Sequence, residues 1–349
     1  MSKKISVFSP FADAGTGSII ETLCRVNETS LVVRPVGRAD RSSFVQFGGN
    51  HLRVSQFSAG VVAGADTLIT GGVVNPATLE AEFMKLSESG IPDLKHKIFI
   101  NYPVKIVTPY HTALARLEIL SKSGSDWMGD ELALYEKLPS LEALDVLVGG
   151  KRLRSRVDEI FESAVKASES IPGADQHPEI TGIFAADAEP VVDELMKLSD
   201  LATVLLGDDA FIGSYNSIIY DGGHRPADEV IAVIPTYQTN RRKTFKKPTE
   251  LDGLDQDNDN RKSVTEESWI GRVVASPVDL GDKLAPMDAT HLAVTKCDKL
   301  GQFSTWKYNL ESKPCEVNSK NFIQTISEAE DLPVKIESHG KTYQHKVLK

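Results

Sequence analysis

The sequence of 349 residues has few cysteines, no excess of basic charge and no long hydrophobic run. Its three cysteines, Cys24, Cys297 and Cys315, are widely spaced, form no metal-ligand pattern and are typical of a reducing compartment. The net charge of −10 argues against nucleic acid or a membrane surface as a partner, because both favour a basic face. No run approaches the roughly 20 apolar residues that a membrane helix needs.

The N-terminal residues, MSKKISVF, lack the apolar core and the cleavage site of a signal peptide. We therefore expect a cytoplasmic protein. Hydrophobic residues make up 41% of the chain and charged residues 25%, the mix of an ordinary globular protein. The length is sufficient for one large α/β domain or two medium ones.

Short apolar runs alternate with segments of helical periodicity, which predicts an α/β fold with a mostly parallel central sheet flanked by helices. The strand candidates are KISVFS, SLVVR, TLIT, HKIFI, ATVLL, EVIAVI and THLAVT, and the helix candidates are NPATLEAEFMKLSES, PYHTALARLEILSKS, LRSRVDEIFESAVKASES and AEPVVDELMKLSD. Residues 252–267 contain almost no apolar side chain, which predicts a mobile polar loop. The cationic stretch before them, NRRKTFKK, is either a solvated loop or an anion-binding loop.

The stretch SVFSPFADAGTGSII, residues 6–20, has the pattern of a phosphate-binding turn between a strand and a helix. The amides of Gly15 and Gly17 could point at phosphate oxygens, and the following helix would add the positive end of its dipole. Asp13 could hold Mg²⁺ or accept a proton from a substrate. No Lys follows the glycines, and a plain turn with a helix-capping Asp fits this stretch equally well.

A second candidate site follows the apolar strand in HLAVTKCDKL, residues 291–300. The Asp298 carboxylate could accept two N–H bonds from guanine, and the stem of Lys296 could lie along the base. The alternative is an ordinary surface ion pair at a strand end.

Residues 58–114 carry a family resemblance. They contain, in order, Ser-Ala-Gly-Val, an apolar strand, Gly-Gly-Val-Val, a helix led by Pro76, Gly-Ile-Pro and Tyr-His-Thr-Ala-Leu. This order resembles that of the adenylosuccinate synthetases, and weaker similarity extends along the chain, including Pro-Thr-Glu-Leu at 248–251 and the Thr-Lys-Cys-Asp stretch. The resemblance implies one domain over 1–349, and the length is closer to the reduced versions that some bacteriophages use to make 2-aminoadenine nucleotides.

The resemblance also implies a reaction, in which a 6-oxopurine nucleotide is phosphorylated by GTP or ATP with Mg²⁺ and then coupled to aspartate. Asp13 falls on the catalytic base, which also lies at the metal, and Arg41 stands where the family has a catalytic His. The remaining implied residues are Gly15, Thr16, Gly17 and Ser18 for phosphate, and Lys296 and Asp298 for guanine. Family members are homodimers, so the resemblance implies a homodimer as well.

The acceptor side departs further from the family. We assign Ser125, Thr239, Arg241 and Arg242 to the acceptor nucleotide or the amino-acid carboxylates. The Gly-Ala-Gln-Gly segment that orients the purine nucleotide is expected at LLGDDAF, with Asp208 and Asp209 and no Gln, and Glu266 and Glu267 would repel a dicarboxylate. Two functions stay open: a divergent ligase with another acceptor or amine donor, and a purine-nucleotide-binding or sensor protein without ligation.

Two histidines have a plainer interpretation. His111 lies at helical spacing among apolar residues, so we expect a packed structural side chain rather than a catalyst. His51, in GGNHLRV, is expected in a hairpin.

Overall fold

A computed structural model describes residues 3–9, 15–35, 43–121, 137–185, 188–222, 226–236, 288–298, 306–310, 313–317, 321–340 and 343–349. The strands in these ranges are β1 Lys3–Phe8, β2 Leu31–Arg34, β3 Ser43–Phe47, β4 Asn50–Val54, β5 Asp66–Ile69, β6 Val73–Val74, β7 Ile98–Asn101, β8 Lys105–Ile106, β9 Leu141–Glu142, β10 Thr203–Leu205, β11 Ser217–Asp221, β12 Glu229–Pro235, β13 His291–Thr295, β14 Trp306–Leu310, β15 Lys313–Val317, β16 Val334–Ser338 and β17 Lys346–Leu348.

Ten of these strands form one sheet in the order β10-β7-β5-β2-β11-β1-β12-β13-β16-β17. Every neighbouring pair is parallel except β16 and β17, which are antiparallel. All seven strand candidates occur in this sheet, and the predicted α/β class with a mostly parallel central sheet is confirmed. The smaller units are the hairpins β3–β4 and β14–β15 and the sheet β6-β8-β9.

The helices in the described ranges cover the sheet and connect its strands. They are α1 Thr16–Asn27, α2 Pro76–Glu88, α3 Pro109–Ser121, α4 Ala143–Val148, α5 Gly150–Glu169, α6 Pro178–Thr181, α7 Glu189–Met196, α8 Leu198–Leu201, α9 Asp209–Gly213 and α10 Phe322–Glu330. The core lies where the central strands are buried on both faces, as the continuous apolar runs of β12 and β13 require. None of these helices combines the length and apolar character needed to cross a membrane.

The start of α2 shows how sequence signals set local structure. The Asn75 side chain accepts a hydrogen bond from the Thr78 amide at 3.2 Å, and Pro76 occupies the first turn, where no amide donor is needed. His51 lies in the β3–β4 hairpin opposite Gln46, which confirms its expected place.

Two features differ from the sequence-based expectation. Strand β11 was not among the strand candidates, yet it lies between β1 and β2. The segment AEPVVDELMKLSD, expected as one helix, is divided into α7 and α8. The Lys197 amide donates to the Glu194 carbonyl at 3.2 Å, and the Asp200 amide donates to the Lys197 carbonyl at 2.9 Å. Each bond joins residues three positions apart, so the i to i+4 bonding of an α-helix is interrupted here.

Candidate functional site

The carboxyl ends of three neighbouring parallel strands define one edge of the sheet. β1 ends at Phe8, β12 at Pro235 and β13 at Thr295, and β12 pairs with both of the others. In open parallel sheets, ligands bind in the crevice outside this edge. The two predicted turns follow β1 and β13, so the fold carries both to the same edge.

The first turn enters α1 through Gly15, whose φ of 77° is in the left-handed region that favours glycine. The Gly15 carbonyl accepts hydrogen bonds from the Ser18 amide at 3.2 Å and from the Ser18 hydroxyl at 2.9 Å. No side chain in the described residues caps α1. The start of α1 therefore keeps the character of an anion-binding helix terminus.

Gly17 is required for a different reason, the close approach of Ser43 at the start of β3. A β-carbon placed on Gly17 would lie 2.0 Å from the Ser43 Oγ and 2.3 Å from its Cβ. These distances are far shorter than a van der Waals contact, so the absence of a side chain lets β3 pack against the first turn of α1.

The second turn begins at Thr295 and is fixed by neighbouring groups. The Thr236 hydroxyl donates to the Lys296 carbonyl at 2.9 Å, and the Thr236 amide donates to the Thr295 carbonyl at 2.9 Å. Lys296 has a φ of 61°, a left-handed value that is uncommon for a residue with a side chain. Cys297 is buried, and Asp298 is exposed beyond it.

The two turns lie next to each other. A β-carbon built on Gly15 would lie 3.9 Å from both the Cβ and the Cγ2 of Thr295, which is ordinary van der Waals distance. Because Lys296 follows Thr295 directly, the glycine turn and the Thr-Lys-Cys-Asp turn are neighbours at this edge of the sheet. The structure therefore brings together Gly15, Thr16, Gly17 and Ser18 with the turn that carries Lys296 and Asp298.

Comparison with known proteins finds similarity to one family over part of the chain. The family model for adenylosuccinate synthetase matches residues 7–131. Curated adenylosuccinate synthetases from Methanosarcina mazei and Methanococcoides burtonii are 27% and 29% identical to this chain over 168 and 170 residues. The chain is similar to the adenylosuccinate synthetases in this region. Both alignments cover 47% of this chain but only 44% and 40% of the relatives, so the matched region spans less than half of their length.

Solved structures show the same fold over the whole chain. A fully ligated adenylosuccinate synthetase from Plasmodium falciparum aligns over 99% of both chains with a TM-score of 0.63 and 11% identity. The cyanophage S-2L succinoaminodeoxyadenylate synthetase, bound to dGMP and to dATP as an energy donor, aligns over 100% of this chain and 95% of its own, with a TM-score of 0.55 and 10% identity. The similarity confirms the adenylosuccinate synthetase-like fold.

Several predicted site residues of this adenylosuccinate synthetase-like chain lie outside the described residues. They are Asp13, Arg41, Ser125, Thr239, Arg241 and Arg242. The expected polar loop at 252–267 and the cationic stretch at 240–247 also lie outside them. The roles assigned to these residues stay predictions.

The LLGDDAF segment, where the resemblance places the purine-orienting residues, follows an edge strand of the sheet. Asp208 and Asp209 follow β10, the outermost strand, which is five steps from β1 in the sheet. At about 4.8 Å per step this separation is roughly 24 Å, so LLGDDAF does not adjoin the glycine turn, and its role toward the acceptor nucleotide stays a prediction. The strand beside β1 is β11, which ends at Asp221, and the Gly222 amide bonds to the Val7 carbonyl at 2.8 Å.

Two buried charged residues near this edge were missed. The Arg34 guanidinium donates to the carbonyls of residues 55–57 and lies 3.3 Å from the Asp221 carboxylate. The Glu82 carboxylate accepts from the amides of the same three residues and from the Ser55 hydroxyl. Arg34 and Glu82 thus hold segment 55–57 by its carbonyls and its amides.

A sequence signal for Glu82 exists. It lies three residues after Leu79 and four before Leu86, so it occupies the apolar face of α2, where a carboxylate needs buried donors. Burial raises the pKa of the Glu82 carboxyl, and the hydrogen bonds from residues 55–57 oppose that rise. Arg34 gave no comparable signal, because a charged residue at a strand end is usually solvated.

His111 is structural, as expected. Its Nδ1 lies 2.8 Å from the Thr108 hydroxyl and accepts the Thr108 amide at 3.3 Å, so it serves the start of α3 as a capping-box acceptor. Burial lowers the pKa of His111 to about 4, against the opposing hydrogen bond with the Pro139 backbone. The ring also lines a cavity of about 280 Å³ beside the sheet β6-β8-β9, apart from the two turns.

The described residues contain no group of three or more His, Cys, Asp and Glu side chains that could hold a metal ion. Asp13, the predicted metal ligand, is outside those residues.

Proposed function

We propose that this chain is a purine-nucleotide ligase that forms a C–N bond. It would activate a 6-oxopurine nucleotide by phosphoryl transfer from GTP or ATP and then couple it to aspartate or another amine donor. The observation that carries the proposal is the proximity of Gly15 to Thr295, because it brings a phosphate-type turn beside a candidate base-recognition turn at one edge of the sheet. The family match over residues 7–131 supports the choice of chemistry.

Asp13 acts as the base in this proposal and removes the N1 proton of the purine. The 6-oxygen then attacks the γ-phosphorus, and the nucleoside diphosphate leaves. The amine displaces the new 6-phosphate group, which forms the C–N bond and releases inorganic phosphate. Arg41 neutralises charge on the transferred group, a role that suits a guanidinium because it stays protonated. Mg²⁺, when bound, would neutralise phosphate charge beside Asp13.

The residues that would bind the triphosphate lie in the described part of the chain. The amides of residues 15–17 at the start of α1 would hold the phosphates, as expected for a helix terminus without a side-chain cap, whereas the Ser18 amide and hydroxyl donate to the Gly15 carbonyl. Lys296 and Asp298 would hold the base of the triphosphate, and a carboxylate there prefers guanine, which offers two adjacent donors. This preference favours GTP over ATP.

A separate set of residues would bind the acceptor and the amine donor. Ser125, Thr239, Arg241 and Arg242 would bind the acceptor phosphate or the carboxylates of the amine donor. IMP and dGMP are the acceptors to test, since the cyanophage protein of the same fold binds dGMP. The proposed location is the cytoplasm, and the proposed assembly is a homodimer.

One observation favours a second candidate, a purine-nucleotide-binding or sensor protein. Thr16 and Ser18 stand where the family has lysines, and the first turn of α1 carries no acidic side chain either. Without that lysine charge, triphosphate binding could persist while phosphoryl transfer is lost.

The deciding experiment measures phosphate release and product formation with GTP or ATP, each acceptor and a panel of amino acids. We expect Asp13→Ala to abolish turnover and to leave triphosphate binding within about threefold of the wild type. Asp298→Asn should weaken GTP binding and spare ATP, with exposed Asp200→Asn as a matched control. Binding of triphosphate without turnover in the wild type would favour the sensor, and equal turnover in the Asp13→Ala variant would remove Asp13 from the mechanism.

A further inference from the structure

We infer that Thr236 is a positioning residue for the guanine-recognition turn. Its hydroxyl holds the Lys296 backbone in the left-handed conformation that presents Asp298 to the crevice. The guanine role of Asp298 rests on the proposed function. The two hydrogen bonds by which Thr236 holds the turn, called the clamp below, do not.

The clamp consists of two hydrogen bonds from one residue. Thr236 follows directly after β12, is 1% exposed, and donates from its amide to the Thr295 carbonyl and from its hydroxyl to the Lys296 carbonyl, both at 2.9 Å. The amide bond continues the pairing of β12 with β13, as any residue at this place could do. The hydrogen bond from the hydroxyl requires Thr or Ser at this position, and it reaches the first carbonyl beyond the end of β13, that of Lys296.

The conformation of Lys296 explains why the turn needs this bond. Its φ of 61° crowds the β-carbon against the following carbonyl, so the chain at this point tends to return to an extended or right-handed conformation. Such a return would rotate residues 297 and 298 away from the crevice. The Thr236 hydroxyl opposes the rotation because it binds the Lys296 carbonyl in the position that the left-handed conformation gives it.

Cys297 gives a direct measure of the turn. It is 6% exposed, and its thiol donates to the Val294 carbonyl at 3.4 Å, so an alkylating reagent reaches it only when the turn opens. Cys24, 1% exposed inside α1, provides an internal reference for opening of the core. Burial raises the pKa of both thiols to about 12, which keeps them unreactive in the closed state.

The first experiment follows alkylation of each cysteine by peptide mass spectrometry in the full chain without ligand. Thr236→Val keeps the shape of the side chain and the amide bond but removes the hydroxyl, and Thr236→Ser keeps the hydroxyl. We expect Thr236→Val to accelerate labelling of Cys297 about fivefold, the factor that one hydrogen bond supplies, with Cys24 unchanged and Thr236→Ser close to the wild type. Unchanged labelling of Cys297, or an equal rise at Cys24, would overturn the clamp.

The second experiment measures GTP and ATP affinity by calorimetry. A positioning role predicts that Thr236→Val weakens GTP binding about fivefold and leaves ATP unchanged, whereas a merely structural role would weaken both equally. A wild-type chain that binds GTP and ATP with equal affinity would remove the guanine assignment in the proposed function. The labelling result would then still decide whether Thr236 holds the turn.

Discussion

Replacing Gly17 by Ala tests whether close packing, rather than backbone freedom, fixes the glycine turn. The added methyl would lie 2.0 Å from the Ser43 Oγ and 2.3 Å from its Cβ, so β3 or α1 must shift. Overpacking of this kind costs about 1–3 kcal/mol, against a gain of up to about 1 kcal/mol in helix propensity. We expect a net loss of roughly 1–2 kcal/mol in the free energy of unfolding.

Ser43 offers a matched pair of second-site changes. Ser43→Gly removes both clashing atoms and leaves the Ser43 Cα at 3.4 Å, whereas Ser43→Ala keeps the Cβ at 2.3 Å. Gly17→Ala should therefore become neutral or slightly stabilising in the Ser43→Gly background and stay destabilising in the Ser43→Ala background. Thermal unfolding midpoints of the single and double variants form the two mutant cycles. An equal cost of Gly17→Ala in all three backgrounds would refute the packing argument.

Two further predictions concern buried ionisable groups. The lowered pKa of His111, about 4, means that the unfolded chain binds more protons between pH 4 and 6.5, so the free energy of unfolding should fall as the pH drops through that window. This pKa shift contributes about 3 kcal/mol to the free energy of unfolding above pH 6.5. His111→Gln, which keeps a capping acceptor, should flatten the dependence of that free energy on pH. An unchanged slope in this variant would contradict the assignment. Glu82→Gln should cost about 1–3 kcal/mol because an amide NH₂ would face the donors of residues 55–57, whereas exposed Glu80→Gln should stay within about 0.5 kcal/mol. Urea denaturation checks both, and equal effects of the two Gln variants would argue against the Glu82 network.

The sequence predicted those elements whose signals are local. The apolar runs of β12 and β13, the Asn-Pro start of α2 and the glycines before α1 each carry their own pattern, and all are present in the structure. Because parallel strands end at one edge, the meeting of the two turns could also be expected before the structure.

The remaining features depend on residues that are distant in the chain. β11, SIIYD, is short and follows another apolar segment closely, so periodicity alone did not separate it. The bond from Thr236 to Lys296 joins residues 60 positions apart. The strand order brings these two residues together, and no local sequence pattern predicts that order.

The place of β1 in the sheet has a consequence for biosynthesis. β1 pairs on one side with β11 and on the other with β12, and roughly 200 residues separate it from them along the chain. At ribosomal rates of about 5–20 residues per second, β1 leaves the ribosome roughly 10–40 s before either partner strand exists. The strand that leads into the glycine turn is thus made early and paired late, and until then its unpaired hydrogen-bonding edges are open to pairing with other chains.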